Sequence, residues 1–362
     1  MKFATGLIFA ALLIAHNAGA AGYSKGTTYQ AGMGARCIAV ADFDGDGKLD
    51  LATANPGSAT VSVLLGKGDG TFQPAQDFAT GRDPAVIMAG DIDGDGRLDI
   101  MTANGDGTVS FLRGFGNGSF LAADNFKAGK SPSALAAGDF NGDGITDLAV
   151  ALSGENGVAV LMGGLAGRFL PRAFYSTGKN PADVKAADFN QDGQTDLAVS
   201  NKGSGGITIL LGSVSGKFDR ANTKKACDSP GKMAVADFDG DGMPDLLVVC
   251  ARSAGVMFMG GFGNGMLREG MYYGAGIGPG AITTVGSAEN GKINAAVAGS
   301  GPNAFTVLEN NGTGFFTAKD GAAQAGPGGA QDIVSADFNA DGIPDIATAD
   351  GTGNSVTVFL GK

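Results

Sequence analysis

One nine-residue block, Asp-Phe-Asp-Gly-Asp-Gly-Lys-Leu-Asp at 42–50, returns starting at Asp91, Asp139, Asp188 and Asp237, in ruined form at Gly286, and again at Asp337. The steps are 49, 48, 49, 49, 49 and 51 residues, so the chain is built of seven units. A repeat of this length is one supersecondary unit that cannot bury its apolar face alone, so neighbouring units must stack against one another.

Each unit reads as four short strands. In the first, residues 38–43 alternate small and apolar side chains, the acidic block follows, 51–54 resumes, and 60–65 alternates again. A hairpin at 66–71, Gly-Lys-Gly-Asp-Gly-Thr, then leads to an outer strand expected to start at Phe72. Similar hairpins recur at 114–120, 163–169 and 212–218. Seven four-stranded units predict an all-β fold, a seven-bladed β-propeller of antiparallel blades spanning 21–362. The seventh unit stops at a third strand, 355–360, while 29–32 resembles the end of an outer strand such as 78–81. The N-terminal segment is therefore expected to complete the last blade and close the ring, leaving no exposed edge.

The acidic blocks have the chemistry of calcium sites. Side chains at positions 1, 3, 5 and 9 and the carbonyl at position 7 can converge into the all-oxygen cage that a hard cation with six to eight ligands requires. The expected ligands are Asp42, Asp44, Asp46, Lys48 and Asp50, then Asp91, Asp93, Asp95, Arg97 and Asp99. The third and fourth loops offer Asp139, Asn141, Asp143, Ile145 and Asp147, and Asp188, Asn190, Asp192, Gln194 and Asp196. Asp237, Asp239, Asp241, Met243 and Asp245 make the fifth, and Asp337, Asn339, Asp341, Ile343 and Asp345 the last. Lys48, Arg97, Ile145, Gln194, Met243 and Ile343 contribute only their carbonyls. One Asp-Gly pair alone would be an ordinary hairpin turn. Six copies of four acidic or amide groups are not, because their mutual repulsion would strain an empty loop. An EF-hand is excluded, since position 12 of the first loop is Thr53 within a strand, and magnesium is the weaker candidate because it keeps its waters. The sixth loop carries Gly286, Ala288, Asn290 and Asn294 at positions 1, 3, 5 and 9 and is expected to hold no metal.

These blocks, the Asp-Leu-Ala-[Thr/Val]-Ala strand that follows and the Gly-x-Gly-[Asp/Asn]-Gly-x-Phe hairpin resemble the FG-GAP (VCBS-type) repeat family, to which the propeller head of integrin α chains belongs. The resemblance covers essentially all of the chain after residue 20. It implies a calcium-binding propeller and, more weakly, a role in adhesion or recognition. Similar proteins include adhesion receptors, a fungal N-acetylglucosamine-binding lectin and non-catalytic modules of secreted enzymes. The chain has no Trp, which argues against WD40 repeats.

Composition narrows the functions. Residues 1–20 carry Lys2, an apolar run at 3–15 and Ala-Gly-Ala at 18–20, a secretory signal peptide too short to span a bilayer. A secreted or periplasmic product is expected, with no membrane span. The only histidine, His16, lies in that segment, so the exported chain has no imidazole for a triad, for general acid/base work or for zinc. The net charge of -11 becomes -12 without Lys2, which speaks against nucleic acid and for cations. The six loops hold 21 carboxylates, and six Ca²⁺ ions would bring the chain close to neutral.

Of three cysteines, Cys227 and Cys250 fall in the fifth unit on one side of a blade, where a disulfide is open to them, with Cys37 left as a buried thiol. The function expected is a secreted, non-catalytic, calcium-stabilised recognition or adhesion module whose partner is an extracellular protein or glycan. A carbohydrate-binding lectin and a calcium-dependent polysaccharide lyase or hydrolase are the alternatives, the latter disfavoured because no isolated acid or base departs from the repeat. Arg82, Lys130 and Lys179, each two residues before a Pro, form an arc on the face opposite the loops. Tyr272 and Tyr273 are adjacent on a strand, so one must point outward.

Overall fold

A computed structural model describes residues 22–286, 292–300, 304–320 and 329–362. The expected signal peptide and the sixth-loop positions Ala288 and Asn290 lie outside them. Seven four-stranded antiparallel sheets form, one per unit. The first blade is Cys37–Ala41, Asp50–Asn55, Thr60–Leu64 and Gln76–Ala79, hydrogen-bonded in sequence order. Five more blades repeat this order.

The last blade closes the ring as the chain ends suggested. Thr27–Gln30 is its outer strand and pairs with Ser355–Phe359, with Thr27 opposite Val358 and Gln30 opposite Ser355. Tyr23 makes a further bridge to Gly361 and packs edge-on against Phe305 of the sixth blade. Pairing of this kind covers the edge that the third strand would otherwise present to solvent.

Burial follows position within the blade. The second strand is buried along its whole length in the first five blades and in the seventh, whereas outer strands such as Gln76–Ala79 are mostly exposed. Central strands bury both faces against neighbouring blades, which explains continuous runs such as Asp-Leu-Ala-Val-Ala-Leu at Asp147–Leu152 in place of polar alternation. Small alanines in these runs let adjacent sheets approach.

The outer strand does not begin at Phe72, as the sequence suggested. Phe72 makes only an isolated bridge to Gly66, and the strand starts at Gln76. Phe72 is instead buried at the blade seam, edge-on to Tyr29 and Phe338 of the seventh blade. Side-chain packing across the seam outweighs strand extension there.

Two acidic residues of the innermost strands stitch neighbouring blades together. Asp183 Oδ2 accepts from the Met233 amide at 2.8 Å, and Asp332 Oδ2 accepts from the Ile38 amide at 3.1 Å and the Cys37 thiol at 2.9 Å. Burial pushes the Cys37 thiol up to about 12, so it remains protonated.

Cys227 and Cys250 are joined in a disulfide across 6.0 Å between Cα atoms, and Cys37 is free and buried. A disulfide fits an oxidising, extracytoplasmic compartment. Closing a loop with a separation of 23 residues constrains the unfolded chain by about 3 kcal/mol. Replacing both cysteines with Ala should therefore move the urea midpoint down, and an unchanged midpoint would contradict this. Among the described residues, no helix is long and apolar enough to cross a membrane.

Candidate metal centre

The loops between first and second strands are shaped by their own carboxylates. Asp42 accepts from the amides of Gly45 at 2.8 Å, Asp46 at 3.2 Å and Gly47 at 2.9 Å. Gly45 and Gly47 turn the chain with φ of 73° and 82°, in the left-handed region that glycine tolerates. The same bonds recur around Asp91, Asp139 and Asp237, and in part around Asp188 and Asp337. At the fourth positions of those last two loops, Gln191 and Ala340 take the positive φ.

Position 9 begins the second strand and ties the loop to the hairpin. Asp50 Oδ2 accepts from the Phe43 amide at 2.8 Å and Oδ1 from the Gly66 amide at 2.7 Å. Gly66 must be glycine, because a Cβ there would lie 2.2 Å from the Leu49 carbonyl oxygen. Asp99, Asp147, Asp196, Asp245 and Asp345 repeat this bridge, and all six carboxylates are buried. In the degraded sixth blade Asn294 Oδ1 still accepts from the Asn310 amide at 2.9 Å. An amide thus suffices for the hairpin half of the bridge, whereas the regular loops use both carboxylate oxygens.

Oxygens of positions 1, 3 and 9 converge. In Asp42, Asp44 and Asp50, in Asp91, Asp93 and Asp99, and in Asp237, Asp239 and Asp245, one ligand atom per residue lies within 4.8 Å of the others. Three carboxylates at that separation repel, and a divalent cation between them would reverse the sign of the interaction. Asp93 Oδ1 is buried without a hydrogen-bond partner. A buried carboxylate oxygen left unpaired is costly, and an ion at this triad would satisfy it. The donor set is all oxygen, which suits calcium.

Position 5 lies beside the triads, its carboxylate held by other partners. Asp46 pairs with Lys48 at 2.6 Å, Asp95 with Arg97 at 3.6 Å and Asp241 with Arg268 at 2.7 Å. Arg268 also reaches Asp239 at 2.8 Å, and Arg113 lies 3.4 Å from Asp93. In the other three loops the position-3 amide does this work. Asn141, Asn190 and Asn339 donate to Asp143, Asp192 and Asp341 at 2.9, 2.9 and 2.8 Å. Four-carboxylate loops thus have a basic side chain at hand, and three-carboxylate loops have Asn. Sequence reasoning assigned Lys48 and Arg97 only a carbonyl role and missed Arg113 and Arg268. The co-occurrence of Asp or Asn at position 3 with these cations was the available signal.

Burial pushes Asp50, Asp99, Asp147, Asp196 and Asp245 up to about 6 and Asp345 to about 7. In the ion-free chain the folded form therefore holds protons that the unfolded chain, with carboxyls near 3.8, has released. That contribution to stability is complete below about 4 and is lost as pH rises through 6 to 7. Ion-free protein should accordingly melt at a higher temperature at pH 5 than at pH 7.5, and saturating calcium should reverse the order. Calorimetry at both pH values checks this, and an ion-free melt that rises with pH would contradict it.

The remaining candidates fall outside the loops. Arg82, Lys130 and Lys179 are exposed on the opposite face, where Gly105 donates to Asp83 and Gly57 to Met33. Tyr273 packs on Phe315 and Phe316, while Tyr272 is exposed and bonds to the Ser253 carbonyl.

Comparison with known proteins agrees with this architecture. No curated protein matches the chain. A chain from the crystal structure of BBS1N in complex with ARL6DN is similar at 12% identity, covering 93% of this chain and 97% of that one, with a TM-score of 0.64. A protein provisionally described as a 6-phosphogluconolactonase from Bacteroides fragilis NCTC 9343 is similar at 20% identity, over 79% and 84% of the two chains, with a TM-score of 0.62. Its counterpart from Bacteroides uniformis ATCC 8492 gives 16% identity, 78% and 83% coverage, and 0.60. At these identities the likeness is one of fold alone. The FG-GAP-like repeat model matches at 42–102, 91–150, 139–199 and 188–248, more than half of the sequence. The chain therefore belongs to the FG-GAP-like repeat family.

Proposed function

We propose that this protein is an exported, calcium-stabilised propeller that acts as a non-catalytic recognition module. The observation that carries the reading is the triad of positions 1, 3 and 9, seen in full with Asp91, Asp93 and Asp99, where a buried carboxylate oxygen lacks a partner. Calcium occupies all six regular loops. Asn141, Asn190 and Asn339 supply an oxygen at position 3 in place of a third carboxylate, and the position-7 carbonyls complete the shell. Position-5 carboxylates join it by exchanging Lys48, Arg97 or Arg268 for the ion. The bound ions neutralise the acidic loops and fix the hairpins through the position-9 bridges.

The disulfide between Cys227 and Cys250 supports an extracytoplasmic setting. The absence of histidine after His16 supports a role in binding rather than chemistry. A screen of glycans and extracellular-matrix proteins, run with calcium and with chelator, tests the recognition role. Ligands should be retained only with calcium and recovered unaltered; conversion of any of them would refute the non-catalytic reading.

A further inference from the structure

The seam between the second and third blades departs from an arrangement shared by four others. At most seams the Phe that ends a hairpin is buried between two aromatic partners of the preceding blade. Phe72, Phe120, Phe218 and Phe316 meet Tyr29, Phe78, Tyr175 and Tyr273 edge-on, at interplanar angles of 75°, 75°, 76° and 70°. Each also meets a loop phenylalanine, Phe338, Phe43, Phe140 or Phe238.

At the second seam the loop residue is Ile92, and the hairpin reads Gly-Gly-Leu-Ala-Gly-Arg-Phe at 163–169. Phe169 is only half buried there and lies tilted at 32° to Phe126, with centroids 5.0 Å apart. The relaxed pair opens a groove of about 750 Å³ over Phe111, Phe126 and Phe169. That is within the size range of small-ligand sites.

The charge of this groove is opposite to that of the chain. Arg113, Lys127, Arg168 and Arg172 line it, against Asp124 alone, in a protein of net charge -11. Arg113 is engaged by Asp93 and Asp124, and Arg172 by Glu155. Lys127 and Arg168 are exposed, and no ion pair engages either among the described residues. The equivalent depression between the seventh and first blades serves as an internal control. It measures about 480 Å³ and is lined by Asp77 with no cation.

We propose that the seam between the second and third blades binds a carboxylate-bearing sugar ring of an acidic polysaccharide, an inference that rests on the reading of the chain as a recognition module. The two phenylalanine faces form a shallow platform for the C–H face of a pyranose. Lys127 and Arg168 meet its carboxylate, the guanidinium in a two-pronged contact. Both residues are spare to the fold, which is why the repeat does not require them.

The test uses the full exported chain with calcium and saturation-transfer NMR. The probes are the disaccharides of glucuronate and galacturonate, their neutral methyl esters and a tetra-aspartate peptide, each at millimolar concentration. The acids should bind, and the esters should bind at least about tenfold more weakly. The exposed double variant Lys127→Ala/Arg168→Ala should lose about tenfold in affinity for the acids at an unchanged melting temperature. Silence from both acids, equal binding of the esters, or full affinity in the double variant would overturn the proposal. Binding of the peptide without the sugars would overturn it in favour of an acidic protein partner. Calcium uptake by the same sample separates the two readings: intact uptake with no sugar bound refutes only the groove, and absent uptake refutes the calcium reading.

Discussion

Stripping calcium from this protein is expected to lower its melting temperature by roughly 10 to 20 °C. Each ion stabilises the folded chain according to its concentration relative to its dissociation constant. At extracellular-type affinity near 10⁻⁴ M and millimolar calcium, one site contributes about 1.4 kcal/mol. Six such sites contribute about 8 kcal/mol together, comparable to the whole stability of an ordinary domain. The ion-free chain keeps its pinned loops but must hold Asp42, Asp44 and Asp50 together as mutually repelling charges, and likewise in the other triads. Thermal denaturation with and without chelator measures the difference. Equal melts would mean that the loops are turns and nothing more.

The second large effect separates the two duties of position 9. Asp99→Ala leaves the amides of Ile92 and Gly114 without their acceptor, in a site that is buried. Each abandoned donor costs about 1 to 3 kcal/mol, and the lost ion adds about 1.4. The variant should be destabilised by about 4 kcal/mol in calcium, an exceptional value for one substitution. Asp99→Asn should fall between the parent and Asp99→Ala, because its single amide oxygen can still accept from the Gly114 amide, as Asn294 does from Asn310, while the Ile92 amide loses its acceptor. In chelator it should be destabilised by about 1 to 3 kcal/mol, less than Asp99→Ala. Urea titrations of both variants decide the matter. Equal destabilisation of the two in chelator would show that the bond to the hairpin contributes nothing.

Much of this was legible in the sequence because the repeat samples the same local problem several times. The loop from Asp42 to Asp50 and its copies announced the blades, and 29–32 announced ring closure through its likeness to 78–81. The structure places Thr27–Gln30 against Ser355–Phe359 accordingly. What the pattern did not reveal depends on contacts between units. Phe72 reads as the start of a strand until its partners Tyr29 and Phe338 are known. Asp183 and Asp332 look like chance acids until they are seen to accept amides of the next blade. Arg268 was hidden by distance within its own unit, since it lies 27 residues from Asp241. Departures from the repeat were the signals left unread. Ile92 in place of Phe and the altered hairpin at 163–169 mark the relaxed seam.

The most direct test of the calcium account is a count of bound ions, by calorimetric titration of protein freed of metal. The account predicts six calcium ions per chain. No uptake would contradict it.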